Sequence, residues 1–531
     1  MSQRSRSVLF VVVLALVAAA CSANASPELS ATASISSATD TDPRGVEDRQ
    51  VDETGEESKE GASTDADVQD RSTDRALFDA LKLPQLPSGD APGTSSNTAN
   101  STDALEDSAL QDSALEDSAL EDSALEDGVA ADVESLVEPA TEPVVDAAVR
   151  SASCVAPVEQ ELTVAPPWVT NALQGAVNHP DFDGLDVSVS VWIDGWGEVI
   201  TRDPDVGLVP ASNEKILVAH AANELLDLES TIDTTVERVG RDLVFRAAGD
   251  PTFSTARANV LVDQVLAAGI TSADRLIIDV SQFPQPPAAS GWQSWQIRNF
   301  VGPLSGFMLD ANRWNTSDQF FESPAQVNGE WLAERFRIAG VAVDTVEVGT
   351  APVGREVGRV ESAPVGALVR DMMLNSNNQI ADMLVLQLGL LSSEGTLLNG
   401  IAQIEQELSD LCVPLDGVMD DGSGLSRLNL RSAREFQEIL RAVRGSDTAD
   451  VFESQLPISG VSGTLRNRFG GDAGRVLAKT GTIFGGRALS GYAATDSGRD
   501  AVFSIIINGE RDATSSSLAA MDQLVRTILR S

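Results

Sequence analysis

The sequence predicts an α/β domain in which one antiparallel sheet is flanked by helices. The segment PPWVTNALQGAVNH (166–179) suits a first helix, and LDVSVSVWIDGWGEVI (185–200) alternates apolar and polar residues across an Asp-Gly turn, as β-hairpins do. Near the C-terminus, RALSGYAATDSGRDAVFSIIING (487–509) has the same hairpin pattern, and an amphipathic helix is expected over about 514–529. Because the chain begins helix–hairpin and ends hairpin–helix, we expect its ends to share one sheet while the middle loops out.

The first 25 residues have the pattern of an export signal. Two arginines precede an apolar run, 8–20, that is too short to cross a bilayer comfortably, and small residues follow it. The sequence AAAC ending at Cys21 is typical of a lipoprotein signal and predicts a lipid on that cysteine, whereas ANA before Ser26 would suit ordinary secretory cleavage. We therefore expect a location outside the cytoplasm, in the periplasm or cell wall, with membrane contact only through the signal or this anchor.

Residues 26–155 are predicted to form a disordered, acidic linker. Within them the five-residue unit ALEDS recurs with small changes over 104–128, and a period of five fits neither a helix nor a strand. Such a segment buries too little apolar surface to offset the loss of chain entropy on folding. The whole chain carries a formal net charge of −43, which makes nucleic acid an unfavourable partner because the two would repel.

The chain contains three cysteines: Cys21, Cys154 and Cys412. If Cys21 carries a lipid, the other two remain as a pair in an oxidising compartment, and we predict a Cys154–Cys412 disulfide. The alternative is two isolated, buried cysteines.

Hydrolysis by a Ser-His-Asp triad or by zinc has little support in this sequence. There are only two histidines: His179 precedes a proline in a turn, and His220 lies on an apolar helix where we expect it to pack in the core. Neither G-x-S-x-G nor H-E-x-x-H occurs. We expect no metal and no other cofactor.

Lysine chemistry has better support, because the predicted globular part contains only two lysines. Lys215 follows Ser212 by three residues at the start of a predicted helix, so the two side chains share one face. A buried lysine, unlike an arginine, can lose its proton and serve as the base for a neighbouring hydroxyl. This spacing alone is a weak signal, since a helix cap followed by a solvated lysine would look the same.

Two further segments strengthen that hypothesis. In MLNSNNQIADML, Ser376 can relay protons and Asn378 can hold a peptide group, while we expect the Asn between them to point away. In VLAKTGTI, a lysine beside hydroxyl groups can grip a carboxylate, and the glycine lets backbone N–H groups approach a substrate. The residues concerned in this second segment are Lys479, Thr480, Gly481 and Thr482.

In this order the three elements resemble the motifs of penicillin-recognising serine enzymes. From about residue 165 to the end, the chain is similar to the D-alanyl-D-alanine carboxypeptidases and endopeptidases of the penicillin-binding protein 4 (DacB-like) group. Further segments that carry this resemblance are AAGDPTFS (247–254), GPLSGFMLD (302–310), DGSGLSR (421–427) and LPISGVSGTLRNRF (456–469).

The resemblance implies a penicillin-binding/β-lactamase-type, transpeptidase-like domain split by a smaller inserted domain. The catalytic domain would occupy 156–238 and 356–531, and the insertion 239–355. The interval between the first two motifs is shorter than expected for family members that carry two inserted domains.

The resemblance also implies a role for each motif residue in the cleavage of peptidoglycan stem peptides, with β-lactams as inhibitors. Ser212 would be acylated and Lys215 would be its base. Ser376 would pass a proton to the leaving D-alanine, and Asn378 would hold the peptide. The terminal carboxylate would bind Lys479 and Thr480, and the oxyanion would face the backbone N–H groups of Ser212 and Thr482.

Two other functions are compatible with the same residues. A β-lactamase would share the fold and the nucleophile, but EGTLLN (394–399) comes too soon after the second motif to supply a deacylating glutamate, and the only tyrosine, Tyr492, lies in the C-terminal hairpin. A non-catalytic wall-binding lipoprotein would have no need for the complete set of reactive residues. Carboxypeptidase and endopeptidase activity are not distinguished by the sequence.

Overall fold

The computed structural model describes residues 162–510, 514 and 516–531; the predicted signal, the predicted linker, Cys21 and Cys154 lie outside them. The described strands are β1 Asp186–Ile193, β2 Gly197–Arg202, β3 Asp233–Val239, β4 Asp242–Arg246, β5 Ser272–Asp279, β6 Ala342–Val348, β7 Arg355–Glu361, β8 Val476–Ile483, β9 Gly486–Ala494 and β10 Asp500–Asn508. The described helices are α1 Pro167–Val177, α2 Lys215–Leu225, α3 Thr255–Ala267, α4 Ser294–Asn299, α5 Asp318–Glu322, α6 Pro324–Ile338, α7 Val365–Asn375, α8 Asn378–Gly389, α9 Leu397–Asp410, α10 Ala433–Arg444, α11 Ala449–Gln455 and α12 Leu518–Leu529. Among these described helices, none combines the length and the apolar character needed to cross a bilayer.

The first sheet joins the two ends of the described chain, as the sequence predicts. Its strand order is β2-β1-β10-β9-β8, and every neighbouring pair is antiparallel. The N-terminal strand β1 pairs along its whole length with β10, from Asp186 opposite Asn508 to Ile193 opposite Ala501. Both predicted hairpins are therefore confirmed, and they form adjacent parts of one sheet.

Helices cover both faces of this sheet because its strands alternate apolar side chains between two cores. On β10, Phe503 and Ile505 point into a core shared with α1 and α12, whereas Val502 and Ile506 point into a larger core built mainly by helices. The last helix begins at Leu518, slightly later than the sequence pattern indicates. The α/β architecture with an antiparallel sheet flanked by helices is thus confirmed.

A second sheet lies in the middle of the chain and has the order β6-β5-β4-β3-β7. Strands β4, β5 and β6 run parallel to one another, with α3 connecting β4 to β5, while β3 pairs antiparallel with both β4 and β7. This sheet spans Asp233 to Glu361 and so extends beyond the predicted insertion, 239–355, at both ends. The physical reason is that β3 and β7 pair with each other at the two ends of this middle segment, Asp233 to Glu361, which is called the insertion below.

Candidate active site

Ser212 and Lys215 meet at the entrance to α2. Ser212 lies in a 3-10 turn, Ala211–Glu214, and Lys215 is the first residue of the α-helix that follows. The Lys215 side chain is fully buried, and its Nζ donates a hydrogen bond to Ser212 Oγ at 2.9 Å. The predicted serine–lysine pair is therefore in direct contact.

The second motif joins two helices beside this pair. Ser376 follows the end of α7 with a left-handed backbone (φ 58°), and Asn378 opens α8. Lys215 Nζ donates to Asn378 Oδ1 at 2.8 Å, and Asn378 Nδ2 donates to the carbonyl oxygen of Phe300, a residue of the insertion, at 3.2 Å. Asn377 caps α8 by accepting a hydrogen bond from the Ile380 N–H, so it points away from the other two, as expected.

The third motif lies on β8, at the edge of the first sheet. Lys479 is fully buried, and its Nζ donates to Ser376 Oγ and to the carbonyl oxygen of Thr480, both at 2.8 Å. The Thr480 hydroxyl is hydrogen-bonded to that of Thr464 at 2.7 Å. The structure thus places the second lysine against the serine of the S-x-N motif.

The third motif needs a glycine at position 481 because the backbone of the first motif comes very close to it. A Cβ on Gly481 would lie 2.8 Å from the carbonyl oxygen of Pro210, just before the serine turn. The next residue, Thr482, is exposed, and its hydroxyl accepts a hydrogen bond from Arg487 Nη1 at 3.3 Å. The backbone of β8 therefore runs directly beside the turn that carries Ser212.

Asn213, buried between the two predicted motif residues of the turn, ties that turn to the sheet. With its amide nitrogen oriented towards β8, it donates to the Lys479 carbonyl oxygen at 2.9 Å, and its oxygen accepts from the Ser490 N–H at 3.2 Å. Sequence reasoning did not single out this residue, although an amide inside the first motif was a visible signal.

The 421–427 loop closes the site from the other side. Ser423 contributes its carbonyl oxygen as a further acceptor for Lys215 Nζ. Asp421 holds the loop together, because its carboxylate accepts from the N–H groups of Gly424 and Ser426, at 2.7 and 2.8 Å, and from the indole Nε1 of Trp292, at 2.6 Å. This loop was known from sequence only as part of the family resemblance.

A buried ionic cluster lies beneath the serine turn. Arg431 donates to Glu214 Oε1 at 3.2 Å and to Glu435 Oε1 at 2.7 Å, and all three side chains are at least 96% buried. Burial raises the pKa of the Glu214 carboxyl to about 7, and the positive charge of Arg431 opposes that rise. Sequence reasoning missed this cluster, because three charged residues separated along the chain look like solvated surface positions.

The remaining predictions concern residues away from these contacts. His220 is buried in the core as predicted, and burial lowers the pKa of its imidazole to about 4. Cys412 is disulfide-bonded, while Cys154, its predicted partner, lies outside the described residues. Over the described ranges, no group of three or more His, Cys, Asp and Glu side chains has an arrangement that could hold a metal ion.

The site thus contains two buried lysines, each touching a serine hydroxyl. Comparison with known proteins shows which family the chain resembles. The family model for the D-Ala-D-Ala carboxypeptidase 3 (S13) family matches residues 170–319 and 317–528. A carboxypeptidase of Mycobacterium tuberculosis is 31% identical over 412 residues, which cover 72% of this chain and 87% of the relative.

Two further comparisons agree with that match. A D-alanyl-D-alanine carboxypeptidase of Actinomadura sp. is 28% identical over 59% of this chain and 75% of its own length. The crystal structure of penicillin-binding protein 4 from Haemophilus influenzae superimposes with a TM-score of 0.58 at 19% identity, over 67% of this chain and 97% of that one, and so shares the fold. The chain belongs to the D-Ala-D-Ala carboxypeptidase 3 (S13) family.

Proposed function

We propose that this protein is a serine-type D-Ala-D-Ala carboxypeptidase that acts on peptidoglycan stem peptides through an acyl-enzyme on Ser212. The observation that carries the proposal is the placement of a fully buried lysine amine 2.9 Å from that hydroxyl. A base at hydrogen-bond distance from a serine is the arrangement that nucleophilic acyl transfer requires. The family relationship supports the same reaction.

The contacts of Lys215 explain how its amine would act as a base. A protonated lysine has three N–H donors, and oxygen atoms of Ser212, Asn378 and Ser423 accept hydrogen bonds from the Lys215 amine. The Asn378 and Ser423 oxygens can only accept hydrogen bonds, so they engage two N–H groups of a neutral amine. The lone pair is then left facing the Ser212 hydroxyl, which is the direction needed to remove its proton.

The first half of the reaction would form an ester and release D-alanine. Ser212 Oγ attacks the carbonyl carbon of the penultimate D-alanine while its proton passes to Lys215. The oxyanion is stabilised by the backbone N–H groups of Ser212 and Thr482. Ser376 then gives a proton to the leaving nitrogen, the C–N bond breaks, and the terminal D-alanine departs. Ser376 recovers its proton from the Lys215 ammonium, which returns to the neutral amine.

Lys479 would have two functions in this step. Its ammonium donates to Ser376 Oγ at 2.8 Å, and a cation at that distance favours transfer of the Ser376 proton to the leaving group. Together with Thr480 it would also bind the terminal carboxylate of the substrate. In the second half, water attacks the ester carbonyl and gives a proton to the neutral Lys215 amine. Lys215 then passes that proton to Ser212 Oγ as the ester bond breaks.

The proposal also covers where the protein acts and how it is held there. Since its substrate is the cell wall, we place the protein outside the cytoplasm, exported by the signal at 1–25. A lipid on Cys21 would hold it at the membrane, and the acidic linker, 26–155, would let the catalytic domain reach the wall. Release of the mature protein after cleavage before Ser26 is the competing form.

The test is to incubate the purified protein with a defined stem pentapeptide and with cross-linked muropeptide dimers, and to weigh the products by mass spectrometry. We expect loss of one alanine residue from the pentapeptide, and no product with Ser212→Ala. Conversion of dimers to monomers would identify an endopeptidase activity of the same site. An unchanged pentapeptide together with rapid, sustained nitrocefin hydrolysis would refute the proposal in favour of a β-lactamase.

A further inference from the structure

A buried aspartate, Asp382, lies on α8 one turn after Asn378 and has no part in the reaction described above. Residues four apart on a helix share one face, so both side chains are directed towards the same region of the site. Asp382 is fully buried inside an otherwise apolar stretch of helix. A fully buried carboxyl group is costly unless it has a specific partner or purpose.

Asp382 is connected to Lys215 through the 421–427 loop. Its Oδ1 accepts the backbone N–H groups of Gly422 and Ser423, at 2.9 and 3.0 Å. The Ser423 carbonyl oxygen is in turn an acceptor for Lys215 Nζ. Asp382 Oδ1 therefore fixes the loop backbone at Gly422 and Ser423, and this backbone carries the Ser423 carbonyl that faces Lys215.

The second carboxylate oxygen has a different environment. Asp382 Oδ2 is buried, and none of the described residues gives it a hydrogen bond. The charges that act on this carboxyl include those of Asp421, in the 421–427 loop, and of Lys215, on α2. Burial and the charge of Asp421 raise the pKa of Asp382 well above its usual range, and the charge of Lys215 opposes that rise.

We propose that Asp382 is a positioning residue for Lys215, which holds the Ser423 carbonyl against the lysine and supplies the buried negative charge that faces its ammonium. The inference rests on the proposed function of Ser212 and Lys215. When the amine carries the proton, the carboxylate balances its charge. When the amine is neutral, the carboxyl group can hold a proton instead, so that the pair changes state without leaving a buried charge unbalanced.

The experiment measures the rate of acylation by a fluorescent penicillin as a function of pH in full-length protein. Asp382→Asn keeps an oxygen acceptor for the two N–H groups but removes the negative charge. An ammonium without its counter-charge loses its proton more easily, so the acid limb of the rate profile moves to lower pH by about one unit or more. The melting temperature should stay close to that of the wild type, which shows that the shift does not come from unfolding.

Asp382→Ala removes the acceptor as well and releases the loop. We expect its plateau rate to fall by about 10²-fold, the effect of displacing a reacting group by about 1 Å. Asp250→Asn is the matched control, because Asp250 is a buried carboxyl in the insertion that is paired with Arg257 and does not contact Lys215. Its acid limb should overlay that of the wild type.

The outcomes separate this inference from the proposed function. If the wild type is not labelled, or if Ser212→Ala is, the proposed function fails. If labelling is normal but the acid limb of Asp382→Asn overlays the wild-type curve, only the role of Asp382 is overturned, whatever the alanine variant does. The positioning role of Asp382 would also be overturned if Asp382→Ala folded normally and reached the same plateau rate of acylation as the wild type. A circular dichroism melt establishes whether that variant is folded.

Discussion

The contact between Gly424 and the serine turn offers a direct test of how tightly the site is built. Gly424 has a left-handed backbone (φ +80°), and a Cβ added to it would lie 1.9 Å from the Ala211 carbonyl oxygen and 2.9 Å from the Ser212 backbone nitrogen. That nitrogen carries one of the two proposed oxyanion donors. Gly424→Ala must therefore displace the serine turn, the 421–427 loop, or both.

The expected magnitude has two parts that a control can separate. The left-handed conformation costs a non-glycine residue about 1–2 kcal/mol. Overpacking against the backbone of Ala211 adds about 1–3 kcal/mol. Gly498, in the β9–β10 turn, has nearly the same backbone (φ +75°) and nothing within 4 Å of an added Cβ, so Gly498→Ala carries only the first cost.

The assay combines urea unfolding with the rate of acylation by a fluorescent penicillin, corrected for the folded fraction. We expect Gly424→Ala to be about 1–3 kcal/mol less stable than Gly498→Ala. We also expect it to lose about 10²–10³-fold in acylation rate, the usual effect of removing one oxyanion donor. Equal stability and equal acylation in the two variants would refute the close packing of loop and turn.

Three more predictions follow from individual groups. Lys215→Arg keeps the positive charge but cannot supply a neutral base, so penicillin labelling should slow by about 10²–10⁴-fold, and near-normal labelling would contradict the assignment. Burial raises the pKa of the Glu214 carboxyl from 4.5 to about 7, so the folded protein binds this proton more tightly than the unfolded chain does. The resulting stabilisation is complete below pH 4.5 and is lost as the pH rises through 7. Urea unfolding should therefore find Glu214→Gln about 3 kcal/mol more stable than the wild type at pH 8, and equal to it at low pH. Thiol labelling of the denatured, unreduced protein should find neither Cys154 nor Cys412 reactive, and two labelled thiols would exclude the predicted disulfide.

The sequence predicts those parts of the molecule whose signals are local. Alternation and turn residues within 185–200 and 487–509 identify two hairpins, and the fold follows once helices are expected at both ends of the domain. The motif serines and lysines were identifiable because lysine is rare in this chain and the three motifs occur in a fixed order. The structure brings Lys215 into contact with Ser212 and Asn378, and Lys479 into contact with Ser376, while the roles of these residues stay predictions.

The parts that sequence reasoning missed depend on contacts between distant segments. Glu214, Asp382 and Arg431 are charged residues, and a charged residue read from sequence is most often on the surface. These residues are buried because α2 packs against α8 and because the segment 421–435 folds back against both helices. Neither contact produces a periodic pattern in the sequence. A lone acid in an apolar helix, such as Asp382 in NNQIADMLVLQLG, was the one local sign that something was buried there.

The insertion is also more closely joined to the site than its place in the sequence indicates. Its segment 291–302 contacts the site directly: the Trp292 indole donates to the Asp421 carboxylate, and the Phe300 carbonyl oxygen accepts from Asn378. Two of the groups that position Lys215, the Asn378 amide and the 421–427 loop, are thus each held by a residue of the insertion. Lys215, the proposed base, is therefore oriented by groups that the insertion holds in place. A variant with a loosened insertion should be acylated more slowly, because these two hydrogen bonds would be weakened.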